Sequence, residues 1–188
     1  MSEPATEPLS LTVAVPAGRI VVRQEDPIDR CWVVVSGALR ESCLSADGRE
    51  FSTGILGPGS GFGVEGSSRS PTEVRAMVGS KIRVANGSES TSILLHRERR
   101  ILELACELVW LDARSRIEKT LDDLADRFGR PAANGFRIGV PLTQTDLASL
   151  AGTTRERANR ILRDLSAEER IVREGRFYVV RPALRSVV

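Results

Sequence analysis

The residues of this chain best suited to chemistry lie between positions 141 and 182, in PLTQTDLASLAGTTRERANRILRDLSAEERIVREGRFYVVRP. Within it Arg155, Glu156, Asn159, Arg160 and Arg163 recur at helical spacing. An arginine can donate two parallel hydrogen bonds to guanine O6 and N7, and a glutamate can accept one from cytosine N4. These side chains therefore suit the reading of base edges rather than the making of bonds. Catalysis has little to work with. His96 is the one histidine, so a triad of nucleophile, histidine and carboxylate is hard to build. Cys31, Cys43 and Cys106 are widely spaced and form neither a CxxC metal pattern nor a disulfide framework. They cannot supply a four-thiolate iron–sulfur cluster. No P-loop or GxGxxG stands between a strand and a helix. An enzyme, a metal site and a resident cofactor are not expected.

The elements around these residues are legible. Thr143 reads as the cap of a short helix, Gln144 to Leu150, and Asp146 gives it a capping-box-like start. Leu147 and Leu150 form its buried face. Ala151-Gly152-Thr153 is a turn, and a glycine suits it. Thr154 caps a second helix, from about residue 155 to 166, with Ala158, Ile161, Leu162 and Leu165 inward. Thr143 and Thr154 stand at helix N-termini, where phosphate oxygens are favoured. Ile171-Val172 and Phe177 to Val180 read as a hairpin turning at Glu174-Gly175. The whole is a winged helix-turn-helix. A surface helix laced with salt bridges would carry the same arginines, but not the capped first helix, the glycine turn and the wing.

The chain has 188 residues and a net charge of +2, with 41% hydrophobic but only 4% aromatic residues. Residues 1–110 carry 12 Lys and Arg against 14 Asp and Glu, and residues 111–188 carry 15 against 11. The basic excess thus falls where the helix-turn-helix lies, which fits a polyanionic partner. No apolar run approaches the roughly 20 residues of a membrane span. The start, MSEPATEPLS, lacks a basic n-region and an apolar core, so a cytoplasmic protein is expected.

The expected fold class is α+β. Residues 1–8 read as a disordered tail. Residues 9–90 read as a small β-barrel or sandwich of short strands (a β-roll by the resemblance given below), including Ile20-Val21-Val22 and Cys31 to Val35, with a loop at 60–72 and a further strand from Val74 to Val84. Asn86-Gly87-Ser88 reads as a turn. Residues 91–111 form a long helix whose Ile101, Leu104, Leu108 and Leu111 follow a 3-4-3 spacing, which suits either a face packed on the core or, since the helix leaves a small β-domain, the seam of a self-pairing coil. Leu94 extends that register backwards, and Arg97 interrupts it. The domain of residues 112–188 begins with a helix capped by Asp112 and ending at Gly129 and Pro131. A loop from Arg130 to Gly139 follows.

LTQTDLASLAGTTRERANRILRDL resembles the DNA-binding signature of the cyclic-AMP receptor protein / fumarate-nitrate reductase regulator (CRP/FNR) family. LVWLDARSRIEKTLDDLADRFG resembles that family's junction between dimerisation helix and DNA-binding domain. AGRIVVRQEDPIDRCWVVVSGALR and GPGSGFG resemble its cyclic-nucleotide-binding-like jelly roll. The resemblance implies a homodimeric regulator of transcription, more usually an activator acting through RNA polymerase. It implies base contacts from Arg155, Glu156 and Arg160, and phosphate contacts from Thr143, Thr154 and Arg157. It also implies double-stranded DNA with an inverted repeat of TGTGA-like halves. The sequence departs from the family at its phosphate-binding cassette. Gly63, Glu65, Arg69 and Ser70 stand for it, but the spacing is short, and Pro71 removes an N–H. Regulation without cyclic AMP is therefore expected. The alternative is a ligand-gated regulator of the same fold. A helix that usually precedes the dimerisation helix is reduced to NGSESTSI.

Overall fold

The computed structural model describes residues 12–64 and 68–181. The tail of residues 1–8 and the cassette residue Glu65 lie outside them. Runs of β-branched residues broken by turns give ten strands before residue 85. They are β1 (Val13–Val15), β2 (Ile20–Val22), β3 (Pro27–Ile28), β4 (Cys31–Ser36), β5 (Leu39–Leu44), β6 (Glu50–Leu56), β7 (Gly61–Gly63), β8 (Ser68–Arg69), β9 (Glu73–Ala76) and β10 (Ser80–Val84). Two antiparallel sheets, ordered β1-β10-β4-β7 and β2-β9-β5-β6, share one core of Val15, Val34, Leu39, Phe62, Val74, Ala76 and Ile82. A ribbon of β3 and β8 completes the roll. Along β9 the period of two is plain: Val74 and Ala76 are buried, while Glu73 and Arg75 are only partly so.

Two local readings are corrected here. The expected loop at 60–72 contains β7 and β8, short strands of small residues that give little hydrophobic signal. The expected strand from Val74 to Val84 breaks before Ser80, and its halves join different sheets. At Gly37 φ is +93°, and a Cβ there would collide with Ser80. That glycine lets the chain turn from β4 to β5, hence from one sheet to the other.

Helix α1 (Gly87–Trp110) starts well before the expected residue 91. Asn86, read as part of a turn, is its N-cap. Asn86 Oδ1 accepts from Glu89 N at 2.9 Å, and Glu89 Oε2 accepts from Asn86 N at 2.9 Å. The NGSESTSI segment is thus the cap and first turns of α1. The inner side of α1 carries Ser90, Ile93, Arg97, Arg100 and Leu104 against the roll, with Ile93 beside Cys31 and Val33. Its outer side exposes Leu94, Leu95, Ile101, Leu102, Leu108 and Val109. This divides the expected seam. Ile101 is 51% exposed, but Leu104 is 5% exposed and buried within its own chain. Three residues from Ile101 is an offset of about 60° round the helix, so Ile101 borders the inner face on which Leu104 is buried. Leu111 is the C-cap, beyond the helix.

Helix α2 (Ala113–Phe128) follows, with Asp112 as cap. The segment read as a loop is a hairpin, β11 (Gly129–Ala132) and β12 (Gly135–Ile138). It joins the wing strands in a sheet ordered β11-β12-β14-β13. Helices α3 (Gln144–Leu150) and α4 (Arg155–Ala167) lie between, followed by β13 (Ile171–Glu174) and β14 (Phe177–Val180). Ile117, Leu121, Leu147, Leu162, Leu165 and Tyr178 share a core into which the roll contributes Ala38 and Ile55.

Glu89 also pairs with Arg83 at 2.5 Å, clamping the start of α1 to β10. The Arg83 guanidinium, and then the Asn86 backbone N–H, hold the Glu89 carboxyl down to about 2. A carboxyl depressed by folding adds stability above its unfolded value and loses it as pH falls through the folded one. Acid unfolding should therefore lose this contribution between about pH 4.5 and about pH 2, and Glu89→Gln should flatten that part of the curve. Asn86→Ala should cost about 1 kcal/mol in denaturant unfolding.

Candidate nucleic-acid interface

Helix α4 is held from one side. Ala158, Ile161, Leu162 and Leu165 are buried, and Thr154 Oγ1 accepts from Arg157 N at 3.2 Å to cap it. Arg155, Glu156, Arg157, Arg160 and Arg163 are exposed. Several other arginines of the C-terminal part are paired. Arg114 meets Glu118 at 2.9 Å and Glu168 at 2.6 Å, Arg170 meets Glu118 at 2.9 Å, and Arg181 meets Glu169 at 2.9 Å. Among the described residues, no ion pair or side-chain hydrogen bond engages Arg155, Glu156, Arg160 or Arg163. Glu156 and Arg160, one turn apart, do not close on each other. A helix laced with internal salt bridges is therefore not what the chain builds here. The guanidinium groups remain available, and the positive end of the helix dipole lies beside them.

The turn before α4 is fixed from α2. Arg116 donates to Ala151 O at 2.7 Å, to Gly152 O at 3.2 Å and to Leu111 O at 2.5 Å. Gly152 has φ +57°, and a Cβ there would lie 2.7 Å from Leu108 Cδ2 and 3.4 Å from Phe51. The angle between α3 and α4 thus depends on α2, the end of α1 and the roll. Arg116 gave no signal in the sequence, because one arginine in a polar helix face looks like any other.

Helix α3 is tied to the roll. The Thr143 N–H and hydroxyl both donate to Asp146 Oδ2, at 2.8 and 2.6 Å, while Thr143 Oγ1 accepts from Asp146 N at 3.1 Å. Asp146 Oδ1 accepts from Arg40 of β5 at 2.6 Å, and Arg40 also meets Glu50 of β6 at 2.8 Å. Ser149 and Ser52 hydroxyls lie 2.9 Å apart. The two expected phosphate-contacting threonines therefore differ. Thr154 is exposed, with its oxygen taken by a backbone N–H and its own proton available. The Thr143 proton is taken by Asp146, so a phosphate contact there requires that bond to be exchanged. Arg157 lies near Asp112. The Asp112 carboxyl sits below the ordinary aspartate value, chiefly through hydrogen bonds from Ser115 and partly through the Arg157 charge.

The described residues of the expected cassette, Gly63, Arg69 and Ser70, do not converge. Gly63 has φ +94°, and its carbonyl accepts from Arg97 at 2.8 Å. Arg69 is exposed and donates to Glu25 O at 2.8 Å. Ser70 is buried, with its hydroxyl on Thr72 O at 2.7 Å. A cavity of about 1150 Å³ lies between the roll and α1, lined by Val33, Glu41, Thr53, Thr72, Ile93 and Arg97 among others. Arg69 does not line it, because β8 pairs with β3 and turns Arg69 to solvent. Among the described residues, no helix is long and apolar enough to cross a membrane.

Residues 104–185 match the model of the Crp-like helix-turn-helix domain, and residues 12–96 match the cyclic nucleotide-binding domain. The chain is 30% identical over 190 residues to a CRP-like cAMP-activated global transcriptional regulator of Mycobacterium tuberculosis, covering 92% of this chain and 85% of that protein. Two solved structures share the fold. FixK2 from Bradyrhizobium japonicum superposes with TM-score 0.78 at 21% identity, covering 92% of this chain and 93% of the other. The c-di-GMP responsive regulator CLP of Xanthomonas campestris gives TM-score 0.73 at 23% identity, covering 92% and 94%.

Arg155→Ala and Arg160→Ala remove no ion pair or side-chain hydrogen bond among the described residues, so each should leave unfolding stability within about 0.5 kcal/mol of wild type. Arg116→Ala strips charged donors from three carbonyls and should cost about 2 kcal/mol in the same measurement.

Proposed function

The chain belongs to the CRP/FNR family of transcription regulators, and we propose that it reads DNA as a homodimer through α4, at inverted repeats of TGTGA-like halves, without cyclic nucleotide. It is a DNA-binding regulator and not an enzyme. The observation that carries the reading is the outer face of α4, where Arg155, Glu156, Arg160 and Arg163 have no ion pair or side-chain hydrogen bond among the described residues. Arg155 and Arg160 are suited to guanine O6 and N7, and Glu156 to cytosine N4. Thr154 and Arg157 would meet phosphates, joined by Thr143 once its bond to Asp146 is exchanged.

The dimer seam we propose is the outer face of α1. Leu94, Ile101 and Leu108 stand seven residues apart, as do Leu95, Leu102 and Val109. That heptad repeat fits parallel pairing about a two-fold axis. Ile101 and Leu108 of the expected seam belong to it, and Leu104 does not. A two-fold dimer matches a palindromic site. We take its mode to be activation through RNA polymerase, in the cytoplasm.

A second reading, a ligand-gated regulator, is favoured by the cavity between the roll and α1 and by the cAMP-activated relative. One titration separates the two. Fluorescence anisotropy is read with a TGTGA-N6-TCACA duplex and a scrambled duplex at fixed salt, with and without cyclic AMP. The expected result is a preference for the palindrome of about a thousandfold or more without nucleotide. Arg155→Ala or Arg160→Ala should cost about 1–3 kcal/mol of that affinity and relax selectivity at one position. Preference that appears only with cyclic AMP would establish the second reading. Equal affinity for both duplexes in every condition would overturn the half-site.

A further inference from the structure

Arg97 interrupts the apolar register of α1, and the fold shows where it goes. It lies one turn after Ile93 on the inner face and reaches into the roll. Its Nη2 donates to Glu41 Oε1 at 2.7 Å, and its Nη1 donates to Gly63 O at 2.8 Å. Glu41 is a buried carboxylate on β5. Thr72 donates to its Oε1 at 2.9 Å, and Thr53 on β6 donates to its Oε2 at 2.9 Å. Both Glu41 and Arg97 line the cavity beneath α1.

A carboxylate is costly to bury unless charge and hydrogen bonds compensate it. Glu41 has both, from one guanidinium and two hydroxyls. These donors are the kind that would bind the anionic group of a ligand in this cavity. They are already satisfied, and an incoming anion would meet the fixed Glu41 charge. We propose that Glu41 is a built-in anion, occupying against Arg97, Thr53 and Thr72 the place of an effector's anionic group and so holding α1 on the roll without any effector. The proposal rests on the reading of α1 as the dimer helix and explains how that dimer is held ready for DNA. Arg97 is a positioning residue: it acts on α1, which in turn places the helix-turn-helix through Leu108 and Arg116.

The test uses the full chain and a double-mutant cycle of Glu41→Gln and Arg97→Met, read as DNA affinity and as thermal midpoint. Wild-type DNA affinity should be unchanged by millimolar cyclic AMP or inorganic phosphate. Each single variant should bind DNA about tenfold more weakly or worse, and the double variant no worse than the weaker single, because both remove one interaction. Glu41→Ala should regain part of its DNA affinity in acetate, against chloride at equal ionic strength, since acetate can fill the vacated carboxylate position. Additive losses, unchanged affinity in Glu41→Gln, no acetate rescue of a folded Glu41→Ala, or tighter wild-type binding with cyclic AMP would each overturn the proposal. If wild type shows no specific DNA binding, the reading of α4 fails instead. The same cycle on the thermal midpoint then still decides whether Glu41 and Arg97 act as one.

Discussion

An exposed arginine close to a carboxylate tends to pair with it, and the use of this chain depends on where that pairing is withheld. Arg114 of α2, Arg137 of β12 and Arg170 close on glutamates of neighbouring elements. On α4 the arginines do not. The inner side of that helix supplies its packing, with Ala158, Ile161, Leu162 and Leu165 all buried. The outer side is then released from any structural duty. A recognition helix must be stable without its charged residues, because those residues have to be free for the nucleic acid.

Holding such a helix at a defined angle needs rigid attachments elsewhere. Arg116 grips the carbonyls of the turn, and Gly152 lets Leu108 approach it closely. On the other side Arg40 reaches from β5 to the capping carboxylate of α3, and Ser52 meets Ser149. The roll is thus in contact with the helix-turn-helix in the same chain and does not act only through α1. Leu108 touches both problems, since it is on the exposed face of α1 and beside the turn. Pairing of two α1 helices would bear directly on the orientation of α3 and α4. A conformational effect of this kind requires a difference in contacts between states, and the Arg40 and Leu108 contacts are the ones placed to differ.

The C-terminal domain was the most legible part of the sequence because its signals are local. A capping threonine, a glycine with positive φ and a 3-4 apolar pattern each specify backbone within a few residues. Thr143, Gly152 and Thr154 accordingly stand where the sequence puts them. The start of α1 was missed because Asn86-Gly87 is both a turn signal and a helix start, and only the reciprocal bonds with Glu89 decide. The stripe left core and seam open at Leu104 because α1 is apolar both toward its own roll and outward. A single sequence gives the period but not which face is already occupied. The pairs Arg40 with Asp146 and Glu41 with Arg97 were out of reach for a different reason: they join residues 106 and 56 positions apart. Where Arg69 goes was equally hidden, since it is set by pairing: the ribbon of β3 and β8 carries it away from the cavity.

The central claim is that the unpaired face of α4 reads a palindrome in a dimer that needs no effector. The most direct measurement is selection of bound duplexes from a random pool by the purified full chain, in nucleotide-free buffer, followed by sequencing. Expected is an inverted repeat with guanine-containing halves separated by about one helical turn, centre to centre, and its loss when Arg155 and Arg160 are both replaced by alanine. Recovery of sequences without two-fold symmetry, or of the same repeat by the doubly substituted chain, would contradict it.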